Sequence, residues 1–227
     1  MVEENTDNLL HKFLESSLSD STKNLAWYSA VQSHPKKTLT IVEVGVGGGG
    51  SLAIAALAIT RNLDPILMRG SKIIGFDLFE KVEKFSEEDN SPRLEEKFKA
   101  EIALRKRKQQ TKEFFTKKAS ENMILSSGYT GGLSLVSGNC LDTIPKFLNE
   151  NSALDCIDFL RISCNWYKPV RTALEKFMPY KPSVIYLDGY YHWEGFRQAV
   201  KDSGFASTIA HGYQIKDCHV ILGAKIK

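Results

Sequence analysis

The chain has 227 residues, of which 42% are hydrophobic and 25% charged, with a formal net charge of +3. That much apolar side chain excludes a largely disordered polymer, and so small a charge does not by itself call for a nucleic-acid partner. The four cysteines (Cys140, Cys156, Cys164, Cys218) form no CxxC pair and read as reduced packing thiols.

The chain opens MVEENTDNLLHKFLESSLSD, with acids where a signal peptide would carry a basic and then an apolar run. The longest apolar stretch, residues 52–59, is too short to cross a bilayer. The expectation is a cytoplasmic protein with no membrane association, folded as one domain over 1–227.

Leu9, Leu10, Phe13 and Leu14 repeat at helical spacing, and Leu25, Trp27 and Tyr28 predict a second short helix before His34-Pro35, giving N-terminal helices over 1–36. TLTIVEV (38–44) is a β-rich run that stops at five glycines, followed by an alanine-rich helix over 52–60. Further strands are predicted at KIIGFD (72–77), LSLVSG (133–138), CIDFLRI (156–162), SVIYLD (183–188) and HVILGAKI (219–226). Helical patterns lie between them at 143–149, 169–178 and 194–202. Strands alternating with helices predict a mostly parallel sheet covered on both faces.

Residues 80–122 break this rhythm as a charged helical insertion in which Leu94, Phe98 and Ile102 share a face and residues 105–108 are basic. The insertion reads as a solvated helix, or as a cap over a site that admits an anionic group such as phosphate. The acids at 87–89 offset the basic run, which argues against nucleic acid.

EVGVGGGG (43–50) joins a strand to a helix and satisfies GxGxxG through Gly45, Gly47 and Gly50. Glycine allows a sharp turn with φ > 0 and brings backbone N–H groups close to a ligand at a helix N-terminus. A nicotinamide site places an acid about 20 residues beyond the glycines, at the next strand end. A methyl-donor site for S-adenosylmethionine (SAM) adds an acid two residues before the first glycine, where Glu43 stands. Asp77 ends the second strand and suits the ribose hydroxyls of either cofactor. Glu43 favours SAM.

The segments VEVGVGGGGS, IIGFDLFE, SLVSGNCLDTIPKFL, IDFLRISCNWYKPVRTALEKFMP and SVIYLDGYYHWEGFRQAV resemble, in order and content, the macrocin O-methyltransferase family over about residues 40–202. Its members are SAM-dependent enzymes that methylate sugar hydroxyls of natural products or related small molecules. The resemblance implies an α/β class I methyltransferase fold, a Rossmann-like seven-stranded sheet with an antiparallel strand near its C-terminal end. By motif position it assigns cofactor binding to Glu43, Gly45, Gly47, Ser51, Asp77, Phe79, Asn139 and Cys140, and places Arg161 and Tyr167 beside the active-site acids. It also allows a homodimer.

Those acids depart from the family pattern. Where members carry LDGD after the arginine, this chain has Ile162-Ser163-Cys164-Asn165, and where they carry two adjacent aspartates it has Asp188-Gly189. Mg²⁺ prefers an octahedral oxygen shell rich in carboxylate, so Asp188 and Asn165 are at most a partial set and reduced or absent metal dependence is expected. A hydroxyl acceptor then needs a protein base. His192 in GYYHWEG is the candidate, with Asp188 as base or as its orienting partner. Tyr167, Tyr190 and Trp193 are candidate acceptor contacts, with Tyr191 and Trp166 nearby. His34, His211 and the Cys218-His219 pair read as surface or packing residues.

The leading expectation is a SAM-dependent transferase for a hydroxyl of a sugar, nucleotide-sugar or glycosylated metabolite. The alternatives are an N- or carboxyl-methyltransferase on a small molecule, and a SAM-binding partner protein that has lost catalysis.

Overall fold

The computed structural model describes residues 2–36, 38–62, 64–79, 85–89, 94–108, 115–152, 154–205 and 212–222. His211, residues 223–226 of the predicted last strand and parts of the 80–122 insertion lie outside them, as do the side chains of the basic run 105–108.

Among the described residues seven strands form one sheet in the order β3-β2-β1-β4-β5-β7-β6. They are β1 (Thr40–Val44), β2 (Lys72–Asp77), β3 (Gly132–Ser137), β4 (Phe159–Ile162), β5 (Val184–Leu187), β6 (Tyr213–Ile215) and β7 (Cys218–Leu222). The first five are mutually parallel, and β7 runs antiparallel to both β5 and β6. The predicted seven-stranded, mostly parallel α/β sheet is therefore present.

Two apolar cores flank the sheet. One gathers Phe13 of α1 (Val2–Ser16), Trp27 and Val31 of α2 (Ser21–Gln32) and nearly all of α3 (Gly50–Asn62). Residues 50–59 of α3 are buried without interruption because the sheet lies under the helix while α1, α2 and α6 (Lys117–Leu125) cover it. An alanine-rich helix suits this place, since small side chains let neighbours approach all round. The second core packs α7 (Cys140–Glu150), α8 (Tyr167–Phe177) and α9 (Glu194–Asp202) on the other face, each by one apolar stripe.

The sequence reading did not give α4 (Pro65–Arg69), placed α6 only partly, within the 80–122 helical insertion, and did not give β6. The first has five residues and the last three, below the length at which periodicity speaks. Within the insertion, α5 (Leu94–Lys108) turns Leu94 and Phe98 onto the second core, where the Phe98 ring meets Trp166 at 5.6 Å. Among the described residues no helix is long and apolar enough to cross a membrane, and all four cysteines are free thiols.

Candidate active site

The C-terminal ends of β1, β2, β4 and β5 open into a cavity of about 640 Å³. Its walls come from the glycine turn (Gly45, Gly47, Gly48), the β2 end (Phe76, Asp77, Leu78) and the β4 exit (Ser163 to Trp166). The β5 exit supplies Asp188, Gly189, His192 and Trp193, the α1–α2 junction Ser17 to Ser19, and α5 Glu96, Lys97 and Ala100. A space of this size at the carboxyl ends of parallel strands is where ligands bind in open α/β sheets.

The turn is built for close approach. Gly45 has φ +95°, and a Cβ there would stand 2.6 Å from the backbone of Ser163 and Cys164. Asp77 ties the turn to β2 by accepting the Gly47 N–H at 2.8 Å, and its other oxygen accepts the Phe79 N–H. The bare backbone of the turn, the helix start at Gly50 and the Asp77 carboxylate in the same wall are groups that fit an adenosyl cofactor.

Behind the turn lies a buried charge network centred on Arg161 of β4, which is 1% exposed. Its guanidinium donates to Asp188 Oδ2, to Ser19 Oγ at 3.0 Å and to Asn24 Oδ1 at 3.2 Å, and its Nε lies 3.4 Å from Glu43 Oε1. It also sits over the Trp27 ring, 5.5 Å from the centroid. Glu43 accepts the Ser51 hydroxyl at 2.6 and 2.7 Å. Complete burial pushes its carboxyl up to about 7, and the charge of Arg161 and the Ser51 bond only partly oppose this.

Asp188 has the opposite outcome. Oδ1 accepts Lys23 Nζ at 2.6 Å, and Oδ2 accepts both Arg161 and Ser19. Burial alone would raise it, but the positive charges of Arg161 and Lys23 outweigh that and hold it at about 2.

These bonds correct several expectations. Asp188 is a saturated, ion-paired carboxylate and therefore a poor base, and its oxygens are committed to Lys23, Arg161 and Ser19 rather than to His192. Nor do the residues fit a divalent ion. Asp188 and Asn165 both reach the cavity wall, but two cations already share the aspartate. Among the described residues, no group of three or more His, Cys, Asp or Glu could hold a metal.

Asn139 caps α7 through Leu141 N and is not in the wall, whereas its neighbour Cys140 is. Phe79 takes φ +55° and is buried in the α3 core rather than in the cavity. Tyr167 is buried in the second core, where it donates to Asp202 and accepts from Arg171, and Tyr190 packs on Tyr191, Phe196 and His219. Neither tyrosine lines the cavity.

The structure does bring Glu43, Gly45, Gly47, Ser51, Asp77, Cys140, His192 and Trp193 to one cavity. The exposed His192 ring lies edge-on to Trp193 at 4.6 Å, its carbonyl accepts Lys97 Nζ of α5 at 2.9 Å, and Trp193 packs on Trp166 at 5.1 Å. The sequence reading missed Ser19, Lys23, Lys97 and Asp217 as wall residues. For Lys23 a signal was present, because residues 23, 27 and 31 fall at helical spacing and the latter two are core.

At the level of sequence, no family model matches the chain and no curated protein is similar to it. Solved structures are similar in fold. The O-methyltransferase NovP superposes with a TM-score of 0.68 at 16% identity, over 91% of this chain and 81% of that one. The calicheamicin methyltransferase CalS11 gives 0.60 at 20% identity, over 97% and 92% of the two chains. An apo structure described as CalS11, TDP-rhamnose 3'-O-methyltransferase, gives 0.54 at 21% identity over 97% and 93%. With the strand order above, these likenesses make the architecture the class I methyltransferase fold.

Proposed function

We propose that the protein is a SAM-dependent O-methyltransferase acting on a hydroxyl of a sugar, nucleotide-sugar or glycosylated small molecule, in the manner of the macrocin O-methyltransferases it resembles. The observation that carries this reading is that the glycine turn, Asp77, Trp166, Trp193 and His192 line the same cavity. NovP and CalS11, a TDP-rhamnose methyltransferase, support it by fold.

When bound, SAM supplies a methyl group on a sulfonium, already a good electrophile. The chain's part is placement, which supplies several kcal/mol of the barrier. In this reading the helix start at Gly50 takes the polar end of the cofactor and Asp77 accepts its ribose hydroxyls. The faces of Trp166 and Trp193 suit an acceptor ring, and His192 Nδ1 or Nε2 takes the proton of the acceptor hydroxyl.

Calorimetric titration with SAM, followed by methyl transfer from labelled SAM to a panel of sugar nucleotides and glycosylated metabolites, tests the reading. Absence of SAM binding removes it. Binding without transfer to any oxygen acceptor replaces it with the inactive SAM binder or with an amine or carboxylate enzyme. The variant His192→Ala is expected to lower turnover by about 10²–10⁴-fold with SAM affinity unchanged, and unchanged turnover would take His192 out of the mechanism.

A further inference from the structure

The acceptor end of the cavity holds a convergence that the proposed chemistry does not use. Lys23 enters from the first turn of α2, 6% exposed, and its Nζ stands 2.6 Å from Asp188 Oδ1 and 2.7 Å from Asp217 Oδ1. The first carboxylate follows β5 and the second lies in the β6–β7 turn. All three side chains line the cavity.

We propose that the Lys23 ammonium is the resident cation of this site, standing between Asp188 and Asp217 where a divalent ion would otherwise be bound, so that the acceptor oxygen meets a fixed positive charge of the chain itself. The inference deepens the methyltransferase reading above and rests on it for the word acceptor.

Charge supports the assignment. Asp188 is shared by Lys23 and Arg161, two single positive charges on the carboxylate that would have to anchor a doubly charged ion. A divalent ion entering there would have to displace an ammonium held at hydrogen-bond distance by both carboxylates. Packing supports it as well. A buried ion pair is expensive to desolvate and apolar residues often replace it without loss, so a lysine held between two acids in a cavity wall is more than a clip for α2. An ammonium carries three N–H donors. Among the described residues Asp188 and Asp217 take two of them, which leaves one for an oxygen in the cavity.

The test reads bound Mn²⁺ by electron paramagnetic resonance in the full-length wild type, Lys23→Ala and the double variant Lys23→Ala/Asp188→Asn. Circular dichroism checks the fold of each. The wild type is expected to bind no Mn²⁺ stoichiometrically. Lys23→Ala is expected to bind one ion at least tenfold more tightly, and the double variant to lose that gain. Stoichiometric binding by the wild type, or no gain in Lys23→Ala, overturns the proposal. Should Lys23→Ala fail to fold, Lys23→Gln, which keeps the length of the side chain, is held to the same outcomes. None of these readouts depends on methyl transfer, so a wild type that ignores SAM would remove the proposed function and leave the result for Lys23 standing.

Discussion

Glu43 and Asp188 are carboxylates on either side of one guanidinium, and their surroundings drive them apart. Glu43 is raised from 4.5 to about 7, chiefly by burial. A carboxyl raised on folding holds a proton that the unfolded chain has released, so its stabilising contribution is complete below pH 4.5 and is lost as pH climbs through 7. The melting temperature is therefore expected to fall between those limits, and Glu43→Gln to flatten that fall by on the order of 5 °C. A variant with the wild-type slope would contradict the assignment. Asp188, lowered from 3.8 to about 2, contributes stability above 3.8 that disappears as pH drops through 2, so the two effects occupy separate windows. Arg161→Met would leave both carboxylates buried without their shared partner, and a loss of about 3–5 kcal/mol in denaturant unfolding is expected. Glu43 was legible because it stands two residues before the first glycine of the turn, and Asp77 because it ends the second apolar strand. Lys23 had only its helical spacing with Trp27 and Val31 to mark it, because a lone lysine on a helix reads as solvated until its partners, 165 and 194 residues away, are known. Tyr167 and Tyr190 misled for a related reason: closeness in sequence to a motif does not say which way a side chain turns.

Among elements, the turn between β1 and α3 is closely constrained by the backbone beside it. Gly45→Ala would force φ +95° on an L-residue and drive its Cβ into the backbone of the β4 exit, which cannot rotate away. Gly204 supplies the control, since its φ of +78° is comparable but nothing lies within 4 Å of the added carbon. Gly45→Ala should lose both stability and the response to SAM, whereas Gly204→Ala should lose about 1 kcal/mol at most and keep the response. Equal losses in thermal unfolding would mean that strain alone, and not the approach to β4, makes glycine necessary at the turn. The long apolar strands and the amphipathic α9 could be read from the sequence because burial on known faces leaves a periodic trace. In β6, with its exposed Tyr213 and Gln214, and in α6, where only Ser120 and Ile124 are buried, little trace is left. The start of β4 also shifted, from the predicted Cys156 to Phe159. Asp158 there uses its side chain on Thr40 N and Lys36.

At the scale of the whole molecule the cavity is a meeting place of distant segments, its wall running from Ser17 to Asp217. A ligand that bridges such segments binds the folded state alone. SAM at a hundredfold excess over its dissociation constant should add about 2.7 kcal/mol, a rise in melting temperature of about 5–10 °C. No rise on addition of SAM would count against the cavity as its site. The same wiring has a consequence for biosynthesis. The ribosome releases Lys23 165 residues before Asp188 and 194 before Asp217, and over that interval this lysine lacks the carboxylates that receive it in the folded protein. Helix α2 must wait, unlatched, until β5 and the β6–β7 turn have both emerged, so this wall of the pocket cannot close on a partly synthesised sheet.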